Sequence, residues 1–509
     1  MSDELPEGWV ETKLAKLAER ITKGATPTSY GFKFQKEGIT FVKIENIRGG
    51  KIDYASLRDR ISLEAHRAQA RSILQTGDLL FSIAGTIGTT CLVTAEDLPA
   101  NTNQALAIIR GSSSTCDPDY LLHVLSDRVA RRALEETARG GAMNNVSLAD
   151  VGDFDIPVAP LPEQRRIVEA VEALLQQVNR AKERLDRLPL ILKRFRQAVL
   201  AAACSGELTR EWRTRRLSPP VAPSLAMLLE RRRSLWEGRN GSTKKTRRYP
   251  EPFQPAVPDG FDLPDDWTWV TASHLALLDV GFAFKSAEFT DHGVRLLRGE
   301  NVEPSSLRWA ETRCWPEDRL DEVRHLLVEP GEIILALDRP IVSAGLKIAR
   351  VKPSDIPALL VQRVMRFKMV QPTDTDYLYL CLSQQRFIDF VAHEGMTGSD
   401  LPHITGTGVA EFPIPLPLPD EQREIVRRAD ALFALADAIE RQLLAATTST
   451  EKLPQAILSK AFSGELVPTE ADLARAEGRT YETAEELLAR VRRETENGAP
   501  PRVRSRRAV

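Results

Sequence analysis

Two sets of amides, hydroxyls and cations collect in loop-like stretches of the sequence. The first is Lys23, Thr26, Thr86, Asn103, Gln104, Asn144 and Asn145; the second is Lys285, Ser286, Arg339, Gln362, Arg363, Thr397, Ser399 and His403. The stretches that hold the first set are Gly24-Ala-Thr-Pro27, Gly85-Thr-Ile-Gly88, Asn101-Thr-Asn-Gln104 and residues 140–147. The second set sits in Lys285-Ser286, Asp338-Arg339, Gln362-Arg363 and residues 397–403. Such groups on neighbouring loops are what the edges of nucleic-acid bases require, since Asn or Gln pairs with adenine and Arg with guanine. Any one of them alone is more often the chemistry of an ordinary turn. As two sets, they are the candidate DNA-contacting residues of the chain.

Other chemistry is missing from the sequence. No Gly-x-x-x-x-Gly-Lys-Ser/Thr phosphate loop is present, and residues 238–244 come no closer than a Gly/Lys-rich stretch. No Asp/Asn-Pro-Pro-Tyr/Phe tetrapeptide occurs; Ser218-Pro219-Pro220-Val221 lacks both end residues. The seven histidines form no His-Glu-x-x-His pair, and the five cysteines, Cys91, Cys116, Cys204, Cys314 and Cys381, are odd in number and far apart. That excludes a disulfide framework and a Cys-x-x-Cys zinc site. The expectation is a protein without catalytic residues, metal or cofactor of its own.

The first residues are acidic with no apolar core of a signal peptide. No apolar run reaches the roughly 18 residues that cross a bilayer. A cytoplasmic, reduced protein with no membrane partner is expected. The formal charge of −2 gives no global nucleic-acid signature, so DNA affinity must be local or supplied by partners. Residues 209–250 carry twelve Arg or Lys against three Glu, with runs at Arg231-Arg232-Arg233 and 244–248, and residues 502–507 are basic too. Both read first as a solvated linker and tail.

What positions the candidate loops is a duplication. Leu5-Pro6-Glu7-Gly8-Trp9 returns as Leu263-Pro264-Asp265-Asp266-Trp267, Glu163-Gln164-Arg165 as Glu421-Gln422-Arg423, and Ser205-Gly206-Glu207-Leu208 as Ser463-Gly464-Glu465-Leu466, each 258 positions on. Over residues 154–168 eight of fifteen positions match, and over 195–208 eight of fourteen, whereas from 35 to 120 only a skeleton survives. One half of each copy was held to a common task while the other diverged. A shared scaffold carrying two different readers gives that pattern.

The shared half reads as a long helix. Ile167, Val171, Leu174, Val178, Ala181, Leu185, Leu188, Leu192, Phe195, Val199 and Ala202 step by four and three, a heptad seam that asks for a coiled-coil partner. The second copy gives Ile425, Ala429, Leu432, Ala436, Ile439, Leu443, Ala446, Thr450, Leu453, Ile457 and Lys460, looser but in register. Pro162 and Glu163 suit a first helical turn, and Gly206 and Gly464 suit a stop. Pro189 and Pro454 predict a kink or short break, because an interior proline costs about 3 kcal/mol. The divergent half reads as strands at 39–44, 78–83, 105–109 and 154–158 with a helix over 120–138. The fold class is α/β (α+β): two mixed domains joined by two long helices in an antiparallel coiled coil. The expected segments are 1–160 and 259–418 for the readers, 161–208 and 419–466 for the helices, 209–258 for a basic linker with a short helix, and 467–509 for a tail with a short helix.

The order of these parts resembles the specificity subunits of type I restriction–modification enzymes. Gly8-Trp9 followed by Gly24-Ala-Thr-Pro27, and Trp267 followed by Gly281-Phe-Ala-Phe-Lys-Ser286, are similar to the openings of target recognition domains; Leu161-Pro-Glu-Gln164 and Leu418-Pro-Asp-Glu-Gln422 are similar to the entries of the central helical regions. The resemblance covers residues 5–495. It departs at Asp338-Arg339-Pro340, which stands where the first copy has Gly-x-x-Gly. It implies a non-catalytic subunit that binds a bipartite, asymmetric double-stranded DNA target in defence against foreign DNA. Two methyltransferase subunits and two motor-nuclease subunits would dock on it, bringing S-adenosylmethionine, ATP and Mg2+. The alternatives are the specificity component of another multisubunit methylation system, or a repeat scaffold that bridges two proteins and never touches DNA.

Overall fold

The computed structural model describes residues 5–111, 115–127, 146–215, 225–240, 248–257, 260–310, 312–343, 345–395 and 404–498. They form two compact units, Met1–Asp186 with Leu444–Val509, and Arg187–Leu443. Each unit holds one mixed domain, and the boundaries between units fall inside both long helices.

The first unit is built on a four-stranded antiparallel sheet. Its strands are β1 (Arg20–Lys23), β2 (Leu79–Ser82), β3 (Thr90–Leu92) and β4 (Leu106–Arg110), in the order β1-β4-β2-β3. Both faces of the central strands β2 and β4 are covered, Leu79, Phe81, Ala107 and Ile109 packing into one core and Leu80, Leu106 and Ile108 into another, so neither strand alternates apolar with polar. The second unit repeats the plan with β5 (Ala276–Val280), β6 (Ile333–Ala336), β7 (Ile348–Arg350) and β8 (Val364–Met369), ordered β5-β8-β6-β7. Registers agree between the copies: Ser82 faces Leu106 as Ala336 faces Val364. In each unit a smaller three-stranded sheet lies beside the first, with one parallel pair, Ile39–Val42 with Ala100–Thr102 and Val294–Leu297 with Ala358–Leu360.

The long helices are Leu161–Ser205 and Pro419–Phe462. Neither breaks at its proline. Pro189 is exposed, so the carbonyl that it leaves unbonded on the preceding turn can be hydrated, and packing on both sides holds the helix together. The first helix ends where Gly206 turns left-handed at φ 80°, the second just before Gly464 at φ 77°. In the second unit the two helices run antiparallel: Arg196 reaches Asp437 and Glu440, while Arg428 reaches the Leu208 carbonyl and Thr209 reaches Glu421.

Along the first seam Ile167, Val171, Val178, Leu192 and Val199 are buried, and Leu174 and Leu185 are half-buried. On the second helix Ile425, Ala429 and Ala436 are buried, with Leu432, Leu443 and Ile457 half-buried. Ile439 and Leu453, expected in the seam, are exposed at 36% and 44%, and Leu458 at 7% lies deeper than Ile457. A 3.6-residue helix drifts by about 20° per heptad against a 3.5 repeat, so the buried line moves one residue on.

The recurring motifs are the joints that seat each domain on the helices. The Trp9 indole N–H donates to Glu163 at 3.0 Å, and that of Trp267 to Glu421 at 3.0 Å. Gln164 accepts from the Asp117 N–H at 2.8 Å and donates to the Ala159 carbonyl at 2.7 Å; Gln422 does the same with Asp374 and Pro417, both at 2.8 Å. Tyr120 and Tyr377, both fully buried, donate to the Pro157 and Pro415 carbonyls. Pro6 packs on Gly464, where an added Cβ would lie 2.2 Å from the ring, and Pro264 packs on Gly206, at 2.6 Å. Each Leu-Pro-x-x-Trp motif therefore meets the Ser-Gly-Glu-Leu motif of the opposite copy.

The short helix expected in the basic linker is Leu225–Asn240, and Arg232 on it is not solvated. It is 3% exposed and donates to the carbonyls of Ser273 at 2.6 Å and Pro250 at 2.7 Å, with Tyr249 over its guanidinium. It closes the second domain. Residues 244–247 and the basic run 502–507 lie outside the described residues.

Candidate nucleic-acid interface

In the first unit three loops meet at one end of the sheet because three strands end there. β1 leads into Gly24-Ala-Thr-Pro27, β2 into residues 83–89, and residues 103–105 turn into β4. Gly24 is needed at the junction, since a Cβ there would stand 2.2 Å from the Thr102 carbonyl oxygen. The Ala25 N–H bonds that same carbonyl at 3.0 Å, and the Ile83 N–H bonds the Ala105 carbonyl at 2.9 Å. The Val146 N–H donates to Ile83 at 3.1 Å, which brings the chain after the candidates Asn144 and Asn145 to the same end; those two lie outside the described residues.

On this frame Lys23, Thr86 and Gln104 are exposed, and the Thr26 hydroxyl donates to the Gln104 amide oxygen. Asn103 is half-buried and its side-chain oxygen accepts from the Ala105 N–H at 3.1 Å. That is local turn chemistry, in which the Asn103 oxygen holds the loop. Thr86 accepts through its carbonyl from Ser82 and from Thr89, which tightens the loop.

The second unit uses the same backbone frame. A Cβ on Gly281 would stand 2.3 Å from the Val361 carbonyl oxygen, the Leu337 N–H bonds the Arg363 carbonyl at 2.9 Å, and the Ile404 N–H bonds Leu337 at 3.0 Å. Lys285, Ser286, Arg339, Gln362 and Arg363 are all exposed here. Thr397, Ser399 and His403 lie outside the described residues. Arg363 donates through Nη1 to Asp338 at 2.9 Å and keeps 65% of its side chain exposed.

Two features of this end escape a sequence reading. A small hairpin, Ile341–Val342 with Gly345–Leu346, extends the β6–β7 connection, with Ile341 and Val342 exposed at 37% and 40%. Its strands are two residues long, too short for an alternation signal. Lys347 closes the hairpin by donating to the Gly299 carbonyl; burial pushes its ammonium below the usual range and Arg339 adds to this, while Asp338 and Glu303 oppose it. Among the described residues no cluster of His, Cys, Asp and Glu is arranged to hold a metal ion, and no helix is long and apolar enough to cross a membrane.

The family of type I restriction modification DNA specificity domains matches residues 6–189 and 315–448. The chain belongs to this family. Its similarity to single members runs over most of its length. It is 29% identical over 348 residues to the EcoDI specificity subunit of Escherichia coli, covering 68% of this chain and 70% of that protein. It is 25% identical to the EcoKI specificity subunit of Escherichia coli strain K12, covering 91% of this chain and 90% of that one. The fold agrees with the HsdS subunit from Thermoanaerobacter tengcongensis, at 20% identity and TM-score 0.56 over 91% of this chain and 98% of that one. It agrees equally with a chain solved to explain complex assembly and conformational transition of a type I R-M system, at 20% identity and TM-score 0.58 over 91% and 100%. As a specificity subunit the protein recognises DNA and is non-catalytic, and the catalysis of such a system belongs to partner subunits.

Proposed function

We propose that this specificity subunit reads a bipartite, asymmetric DNA target, one half-site at each of the two sheet ends, and scaffolds the modification and restriction subunits. One comparison within the molecule carries the reading. The backbone hydrogen bonds that build the two ends are the same, 83 to 105 matching 337 to 363 and 146 to 83 matching 404 to 337, while the side chains on them differ. A shared frame with different chemistry is what two readers of different bases need. Two identical modification subunits would in turn need two equivalent surfaces, which the duplicated helices offer.

On this reading two methyltransferase and two motor-nuclease subunits join the chain, S-adenosylmethionine, ATP and Mg2+ reside in them, and the complex methylates adenine in the cytoplasm. Lys23, Thr26, Thr86 and Gln104 face one half-site; Lys285, Ser286, Arg339, Gln362 and Arg363 face the other. The test is a domain exchange. Replacing residues 1–160 with the counterpart of another specificity subunit should change one half of the methylated motif and leave the other half intact. Each lost base contact should cost about 1–3 kcal/mol. A change in both halves together, or a complete complex with no sequence preference, overturns the proposal; the second outcome is the signature of a scaffold that only bridges proteins.

A further inference from the structure

Gly85 and Arg339 occupy the same place in the two readers. Each stands three residues beyond the last paired residue of its strand, Ser82 facing Leu106 and Ala336 facing Val364. Both are left-handed, Gly85 at φ 72° and Arg339 at φ 45°. Glycine adopts that conformation without a Cβ penalty, whereas arginine is strained in it. The second reader has kept the turn and given up the residue that suits it. Arg363, a few ångströms along the same tip through its bond to Asp338, is likewise left-handed at φ 63°. Only three non-glycine residues with positive φ occur among the described residues, and two of them are these arginines.

Folding does not account for Arg339. Its side chain is exposed and its guanidinium has no hydrogen-bond or ion-pair partner among the described residues. Backbone strain of this kind clusters at ligand-facing sites. We propose that Arg339 is a specificity-determining residue, a guanine reader for the half-site of the second domain, set beside an Arg363–Asp338 pair that fixes its neighbourhood. This rests on the two-reader function above. A guanidinium donates two parallel bonds to guanine O6 and N7. The first reader, with Gly85 at this place, lacks the contact.

The test uses the complete complex of the chain with its methyltransferase partner. Duplex oligonucleotides carry the motif methylated by the wild type and every single base-pair change in the second half-site. Arg339→Gly should relax one G·C position by roughly 5- to 150-fold in discrimination, the range of one bidentate arginine contact, with the first half-site unaltered. Because glycine suits the turn, the melting temperature of the variant chain should not fall. Arg339→Lys keeps the charge and can still reach O6 and N7 but lacks the planar fork, so it should hold overall affinity and lose only part of the discrimination. An unchanged motif in Arg339→Gly overturns the assignment. So does a uniform loss over all duplexes with a flatter salt dependence, which is how a phosphate contact behaves. A wild-type complex that prefers no sequence removes the two-reader function itself, and is distinguishable from both because no mutant is needed to see it.

Discussion

Replacing Glu421 with alanine is expected to destabilise its unit more than replacing Glu163 does the other, although the two stand at the same place in the repeat. Both carboxylates are fully buried and both accept from a tryptophan N–H. Their remaining partners differ. Glu421 also accepts from the Thr209 hydroxyl at 2.7 Å and from Arg213 Nη1 at 2.5 Å, an ion pair whose cation is 17% exposed. Removing the carboxylate strands a half-buried guanidinium and two further donors, and breaking a buried pair from one side costs about 3–5 kcal/mol. Glu163 accepts from Trp9 and from the Glu470 backbone N–H at 2.8 Å. Alanine there likewise leaves two neutral donors at about 1–3 kcal/mol each, the same number that Glu421→Ala leaves, so the Arg213 ion pair is the difference between the two variants. Part of that is offset, because burial already pushes the Glu163 carboxyl above its usual range against the pull of those donors. Differential scanning calorimetry of the intact chain and both variants is the assay. At about 2–4 °C per kcal/mol for units of this size, Glu421→Ala should lower the transition of its unit by roughly 6–20 °C. A shift for Glu163→Ala equal to or larger than that for Glu421→Ala would mean that the Arg213 pair adds nothing to the stability of its unit.

Two further outcomes follow from the geometry. Burial first, and Arg232 second, lower His274 to about 4, and its neutral Nδ1 accepts from the Thr271 N–H at 3.2 Å. Above pH 6.5 it is neutral folded or unfolded; between 6.5 and 4 only the unfolded chain takes the proton, so stability falls with pH across that window, by up to about 3 kcal/mol at its lower end. His274→Gln should remove that part of the pH dependence, measured as the difference between wild-type and variant melting temperatures from pH 7 to 4; parallel profiles would exclude it. Gly24→Ala should push a methyl into the Thr102 carbonyl, cost about 1–3 kcal/mol by overpacking and loosen the first half-site alone. Equal loosening of both half-sites in the methylated motif would count against independent sheet ends.

Features that repeat at short range were legible in the residues alone. The four-and-three spacing from Ile167 to Ala202 dictates a long helix with one apolar seam, Gly206 and Gly464 stop the two copies, and apolar runs such as 79–82 and 106–109 place the central strands. The candidate loops followed from those strands, since a loop is what lies between them. Tertiary structure decided everything that depends on residues far apart in the chain. Glu163 looks like a first-turn helix carboxylate in sequence, yet it is an acceptor for Trp9, 154 positions away. Pro6 meets Gly464 and Pro264 meets Gly206, a crossing of the copies that a repeat offset cannot express. Arg232 reads as one cation in a solvated run and is buried under two carbonyls, because its neighbours are Ser273 and Pro250. Asn103 and Arg339 are equally plausible base readers on paper. The fold turns the Asn103 amide oxygen back onto its own loop and holds Arg339 exposed on a strained turn, since side-chain direction follows backbone dihedrals that only the assembled sheet end imposes.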